Sequence, residues 1–172
     1  RDAEAKKAAE ILGISVRENL SMRDGFFVND EQHQLEIIKR IRKYRPEIVI
    51  CNAIEDRHID HGKGSKLVSD ACFLSGLKKI ETFDNDQPQE VWRPKHIFHY
   101  IQWKNVVPEF VIDISGFMEQ KIEACLAYKT QFYNAGIMKN GDIYSVKVDA
   151  DFDLVFPLRK LRQTEEIAEK YF

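Results

Sequence analysis

Residues 55–61 read Glu55-Asp56-Arg57-His58-Ile59-Asp60-His61, which sets two imidazoles, three carboxylates and a guanidinium side by side. Neutral imidazole is a good zinc ligand, and a carboxylate next to it can orient the ring and strengthen it as a base. A catalytic zinc centre takes three protein ligands and keeps a fourth position for water. His58 and His61, with Asp60 between them, supply one or two of those three. By residue types alone, a solvated polar loop with a capping Asp or His accounts for the segment somewhat better, because short His/Asp clusters are only moderately specific.

The flanking elements decide where this chemistry would sit. Residues 47–52 carry Ile48, Val49, Ile50 and Cys51 in succession. An apolar run without alternation predicts a strand covered on both faces, as in a parallel sheet. The cluster falls in the following loop, 53–61, and a helix is expected from about Gly62 to Ser75, with Leu67, Val68, Ala71 and Cys72 inward and Gly76 as its stop. In open α/β sheets, ligands gather outside the carboxyl ends of strands, and helix N-termini favour anions. Upstream, residues 2–12 predict a helix with a small apolar face of Ala5, Ala8, Ala9 and Leu12, ended by Gly13. Residues 30–44 predict another, capped by Asp30, with Leu35, Ile38 and Ile41 on its stripe and Pro46 beyond its end. Downstream, residues 96–102 and 110–114 read as two strands bounded by Pro94 and Pro108. Ser115 can cap a helix running to about Phe132. Asn140-Gly141-Asp142 is a turn signal ahead of alternating residues 143–148, which predicts a hairpin or edge strand, and 164–172 fits a short terminal helix. Helix, strand, loop, helix is the order of an α/β sheet.

The chain has 172 residues, 44% hydrophobic and 31% charged, with a net charge of −2. That fits a soluble globular domain. Acids and bases are mixed, with no basic stripe, which argues against a nucleic-acid partner. No apolar run reaches the ~18 residues needed to span a bilayer, so no membrane role is expected; oligomeric state is open. Cys51, Cys72 and Cys125 each lie in apolar surroundings and form no CxxC pair. Buried thiols in a reducing cytoplasm are the expectation. The chain opens on Arg1 rather than Met, directly onto a helical pattern, which implies an upstream segment.

Other patterns carry less. Gly62-Lys63-Gly64-Ser65 lacks the phosphate-loop glycine, having Arg57 at that position, and has Gly64 where Ser or Thr must follow the lysine. His96 and His99 are three apart on a strand, so they face opposite sides and read as structural. His33 is expected on the solvent side of its helix. Phe26, Phe27, Trp92 and Trp103 are most simply packing aromatics.

The stretch from Arg45 to Phe73, RPEIVICNAIEDRHIDHGKGSKLVSDACF, resembles the second metal-site segment of the LmbE-like, or GlcNAc-phosphatidylinositol de-N-acetylase, family. There the loop commonly reads His-Pro-Asp-His ahead of a helix. Arg1, Glu4, Ala5, Leu12-Gly13, Asp24-Gly25, residues 110–115, Lys121 and residues 128–132 extend the resemblance over roughly residues 1–133. Together they are similar to the branch that deacetylates N-acetylglucosaminyl-malate in bacillithiol biosynthesis. The resemblance implies a Rossmann-like three-layer α/β sandwich with a mostly parallel sheet. It also implies two segments, a deacetylase domain over 1–133 and, over 134–172, a C-terminal segment of the same domain or an unrelated tail.

By that resemblance, His61 would ligate Zn2+, and His58 would be a charged donor to the tetrahedral oxyanion, held and charged by Asp60. Arg1 and Arg57 would contact an anionic part of the substrate, and Tyr128 and Gln131 would face its pocket. Packing for Tyr128, a solvated amide for Gln131 and a local ion pair of Arg57 with Asp56 or Glu55 are the plainer alternatives. Three departures stand out. Ile59 replaces the family's proline, the first motif Ala-His-Pro-Asp-Asp is absent, and the tail from Ala135 finds no counterpart. The expected activity is zinc-dependent removal of an N-acetyl group from an N-acetylglucosaminyl conjugate, with this chain holding an incomplete ligand set. The competing expectation is a non-catalytic remnant or sugar-binding module of the same fold.

Overall fold

The computed structural model describes residues 1–104 and 106–132, together with the backbones of residues 146–149 and 152–154. Internal contacts divide the chain into two compact units, Arg1–Glu18 with Ile112–Phe172, and Asn19–Val111.

In the first unit, α1 (Asp2–Leu12) buries Ala5, Ala8 and Ala9, as the small-residue periodicity predicts. Gly13 ends it at φ 67, a left-handed conformation that costs glycine least. Residues 110–114 do not form the expected strand. Val111 is 81% and Ile112 71% exposed, and among the described residues no strand lies alongside to pair with their backbone groups. The next helix is also not continuous. A 3-10 turn (Ser115–Phe117), α4 (Met118–Leu126) and α5 (Lys129–Phe132) follow one another. Its start is fixed by Asp113 rather than by Ser115, for the Asp113 carboxylate accepts both the Ser115 amide at 2.8 Å and its hydroxyl at 2.6 Å. Gln120 donates to the Ile11 carbonyl at 2.6 Å, and Glu4 accepts from the Thr130 amide and hydroxyl at 2.9 and 2.7 Å, tying α4 and α5 to α1.

The second unit carries the polar cluster. α2 (Glu31–Tyr44) is capped by Asp30, whose carboxylate accepts the His33 amide, and Arg45 closes it in the left-handed region at φ 48. Asp30 also lies 2.6 Å from His33 Nδ1, which leaves that ring half-buried against its own cap. β1 (Ile48–Cys51) pairs in parallel with β4 (His96–His99), Ile48 opposite His96 and Cys51 opposite His99. Between them come α3 (Ile59–Leu74) and a short antiparallel pair, β2 (Phe83–Asp84) and β3 (Gln87–Pro88).

α2 and α3 cover one face of the β1–β4 ladder. Ile38, Ile41, Ala71 and Cys72 form the core, with Val49 and Ile97 packed onto it. Burial of Ile38 and Ile41 contributes about 2 kcal/mol each. The opposite face is not covered as the apolar run predicts, since Ile48 is 53% and Ile50 64% exposed. β4 is also shorter than 96–102 and ends at His99, after which Tyr100 donates a last backbone bond to Cys51 at 3.2 Å.

Two arginines close the carboxyl end of α3. Arg42, itself 3% exposed, donates to the carbonyls of Ser75, Leu77 and Ile80 and to the Thr82 hydroxyl at 2.7 to 3.0 Å. Arg93 donates to the Phe73 carbonyl at 2.9 Å. Its side chain passes so close to Gly76 that a Cβ there would lie 2.5 Å from Nε, which is why the helix stop is a glycine.

In the tail, β5 (Val146–Asp149) pairs antiparallel with β6 (Phe152–Leu154). The turn expected at 140–142 and the helix expected over 164–172 lie outside the described residues.

Candidate functional site

The segment from β1 to α3 places the cluster at the carboxyl end of β1, but its last three residues are not loop. α3 begins at Ile59, three residues before the expected start, because His58 serves as its N-cap. His58 Nδ1 accepts the Asp60 amide at 3.3 Å. Histidine is outside the usual set of capping residues, so the sequence pattern sets the boundary too late. Ile59, Asp60 and His61 therefore form the first helical turn.

That cap decides the chemistry of His58. An Nδ1 that accepts a backbone N–H carries a lone pair, so the ring proton sits on Nε2. In this geometry the helix start engages Nδ1, and Nε2 is the ring nitrogen through which His58 would donate. Its ring centroid lies 5.2 Å from that of His61.

The contact between Asp60 and His58 runs through the Asp60 main chain. The Asp60 carboxylate, 12% exposed, accepts the Gly25 amide at 2.6 Å and stands 3.8 Å from Lys63 Nζ. Lys63 in turn donates to the Gly25 carbonyl at 2.9 Å. The first turn of α3 thereby holds the turn around Gly25, whose φ of 75 suits glycine.

Asp56, with Glu55 one of the two candidate ion-pair partners of Arg57, takes a central place instead. Its side chain is 2% exposed. Oδ1 accepts the His58 amide at 3.0 Å and lies 3.0 Å from His61 Nδ1. Burial pushes its carboxyl up, but the His58 amide and the His61 imidazole outweigh it and hold the group below its ordinary range. Nearby, Glu55 pairs with Lys104 at 2.5 Å, and the Arg57 guanidinium stands over the Trp103 ring, 5.1 Å from its centroid.

A second polar group beneath the site was read as merely structural. His99 Nδ1 lies 2.9 Å from the Asn52 carbonyl and 2.9 Å from Ser65 Oγ, and Nε2 lies 3.3 Å from Ser69 Oγ. A carbonyl only accepts, so Nδ1 bears the proton and Nε2 takes the Ser69 hydroxyl. Cys51 Sγ is 3.3 Å from the same Nδ1, and Asn52 Nδ2 donates to the Tyr100 hydroxyl at 2.9 Å. Ser65 and Ser69 are one helical turn apart on α3, the single sequence signal for this cluster.

Of the remaining expected substrate contacts, Arg1, Tyr128 and Gln131 belong to the first unit. Arg1 is the exposed N-cap residue of α1. Tyr128 and Gln131, with Lys121, Ala8 and Ala124, line an open groove of about 500 Å³ along α1 and α4.

Among the described residues, no three His, Cys, Asp or Glu side chains gather closely enough to hold a metal ion. His61 and Asp56 make a pair, and Asp56 Oδ2 and His61 Nδ1 are both buried without a well-formed hydrogen bond. Donors of the right chemistry are present, but the set falls short of the three that a zinc centre takes.

Residues 1–72 match the family described as PIG-L: GlcNAc-PI de-N-acetylase. The chain is 29% identical to the diacetylchitobiose deacetylase of Thermococcus kodakarensis over 132 residues, 75% of this chain and 48% of that protein. It thus spans about half the length of this curated relative. Among solved structures, the conserved protein TT1542 from Thermus thermophilus superposes with a TM-score of 0.69 and 33% identity, covering 76% of this chain and 57% of that one. The 4-carboxy-2-hydroxymuconate hydratase GalB from Pseudomonas putida superposes with a TM-score of 0.56 at 21% identity, covering 74% of this chain and 53% of that one, a likeness of fold alone. The family match and the deacetylase relative together show the similarity of this chain to the PIG-L/LmbE-like family.

Proposed function

We propose that this chain is part of a deacetylase that removes the acetyl group from an N-acetylglucosamine-type sugar. The observation that carries the proposal is the arrangement of Asp56, His58, Asp60 and His61 where β1 passes into α3, inside the region of the family match. The parallel β1–β4 pair under α2 and α3 fits one side of a three-layer Rossmann-like sandwich, the architecture we propose for the whole protein.

In this reading His58, through its Nε2–H, donates to the carbonyl oxygen of the acetyl group and to the negative charge that develops there. Donors aimed at such an oxyanion are worth roughly 10²–10³ in rate. Asp56 and the Asp60 amide hold the two rings; Asp60 itself anchors the Gly25 turn. Arg1, Arg57, Tyr128 and Gln131 are the proposed contacts to the rest of the substrate, and His61 is the proposed ligand to Zn2+, which in such sites lowers the pKa of a bound water towards ~7. The described residues supply too few ligands to complete such a centre. A GlcNAc-malate-type conjugate, as in bacillithiol biosynthesis, is the proposed substrate, and the cytoplasm the proposed location.

The test has two arms. This chain alone should bind zinc no more tightly than about micromolar, because one or two ligands remain of three. Joined to a strand bearing Ala-His-Pro-Asp-Asp, it should release acetate from an N-acetylglucosaminyl conjugate, and a chelator should abolish the release. There His58→Ala should lower kcat about 10²–10³-fold and retain zinc, whereas His61→Ala should lose both. A completed protein that binds zinc yet cleaves no N-acetyl sugar would establish the binding-module reading instead.

A further inference from the structure

We propose that Asp56 is the positioning carboxylate of His61: it receives the ring's Nδ1–H and so leaves Nε2 as the lone-pair atom. The inference rests on His61 being the ligating histidine of the function proposed above, and deepens it.

A carboxylate that is 2% exposed needs partners, since burying an unpaired charge is costly. Asp56 Oδ1 has one in the His58 amide. Its other close neighbour is His61 Nδ1 at 3.0 Å, an ion-pair distance, with the ring N–H directed off the line between the two atoms. His61 Nδ1 is itself buried without another hydrogen bond. The torsion that turns an imidazole is broad and soft, so a modest ring rotation satisfies both groups. A carboxylate only accepts, so the nitrogen facing it must carry the proton.

The spacing makes this local. His58 is the cap of α3, which puts Asp56 two residues before the cap and His61 in the third helical position. The Asp56 side chain folds back over the first turn, takes the cap residue's own amide and reaches the third position. Asp60, the carboxylate adjacent in sequence, is occupied by the Gly25 amide and Lys63. A histidine whose far nitrogen is held by a carboxylate presents a fixed, more basic Nε2.

The experiment uses this chain, nitrogen-labelled, with long-range proton–nitrogen correlation spectra of its histidine rings recorded where they are neutral. His61→Gln assigns the His61 signals. The expected result is a dominant Nδ1–H form of His61 in the native chain. Asp56→Asn, which can still accept the His58 amide, should lower the ratio of Nδ1–H to Nε2–H several-fold, whereas Asp60→Asn should leave it unchanged. An Nε2–H form in the native chain would overturn the proposal. So would an unchanged ratio in folded Asp56→Asn, or an equal shift from Asp60→Asn. If Asp56→Asn fails to fold, the native tautomer decides by itself. The readout involves no turnover, so failure of the deacetylase assay and failure of this inference are separate results.

Discussion

Replacing Arg42 by Met should be among the most damaging single substitutions in the 19–111 unit. The guanidinium makes four hydrogen bonds, to the carbonyls of Ser75, Leu77 and Ile80 and to the Thr82 hydroxyl. Hydrogen bonds to a charged group are worth about 1.5–3 kcal/mol each, so a plain sum reaches roughly 6–12 kcal/mol. That sum is too large. The Ser75 carbonyl keeps the Trp92 amide at 3.2 Å, and removing the guanidinium also removes its own desolvation cost. The Leu77 carbonyl likewise keeps the Ile80 amide at 3.3 Å, so what remains is chiefly one orphaned carbonyl, Ile80, at about 1–3 kcal/mol, with the lost Thr82 hydroxyl bond adding about 1 kcal/mol. The expected loss is therefore about 3 kcal/mol, a large part of a typical total of roughly 5–15 kcal/mol. Arg42→Lys should lose less, about 2 kcal/mol, because an ammonium keeps some donors but not the planar fork. The partners are neutral, so salt should leave both losses nearly unchanged. Urea unfolding followed by tryptophan fluorescence reads this unit, since Trp92 and Trp103 are the only tryptophans and both lie in it. With a slope of about 2 kcal/mol per molar, the midpoint should fall by roughly 1.5 M in Arg42→Met. A midpoint within about 0.5 M of the native value, on the same slope, would refute the idea that Arg42 is the main fastener at the end of α3.

His99→Ala should cost about 2–3 kcal/mol by leaving the Asn52 carbonyl and two serine hydroxyls without their ring partner; a loss under about 0.5 kcal/mol in urea would show these contacts to be incidental. Native thiol titration should modify Cys125 first, because Cys51 and Cys72 are buried and the Cys72 thiol is pushed up to about 11 by burial and then by Cys51; rapid reaction of all three without denaturant would contradict this. Acid should destabilise the fold. Lys39 holds the Glu36 carboxyl below its ordinary 4.5, and Lys66 with Asn29 holds Asp70 below 3.8. A depressed carboxylate contributes stability that is complete above its ordinary value and is lost as pH falls through its lower folded value. Urea midpoints should thus be flat from neutrality to about pH 5 and decline below about pH 4, less steeply in high salt. A midpoint that rises on acidification would reverse the sign of the argument.

Some of this architecture is legible in the sequence because local signals agree. α1 and α2 each combine an apolar period with a terminator, Gly13 or the Asp30 cap. β1 is legible as a strand but not in its burial, because a four-residue apolar run says nothing about how many layers cover it. Residues 110–114 have the composition of a strand, yet strand formation depends on a neighbour, which composition does not supply. The start of α3 is hidden by its unusual cap. In the site, His58 and His61 are legible from type and spacing. The partner of His61 is not, because adjacency nominates Asp60 while the backbone folds Asp56 inward. His99 escapes notice as a polar hub because its partners lie on two other elements, α3 and the end of β1.

The imidazole that caps α3 has a consequence for how this chain can diverge. A helix start accepts Ser, Thr, Asp or Asn at least as readily as His, so position 58 can change to any of these and the helix will still begin at Ile59. Such a change would remove the outward ring N–H and leave the scaffold standing. The fold therefore places no demand of its own on the residue proposed to touch the substrate. Descendants that lose the chemistry should keep their shape, and an intact α3 in a relative is no sign of activity. The identity of residue 58 is the more informative character.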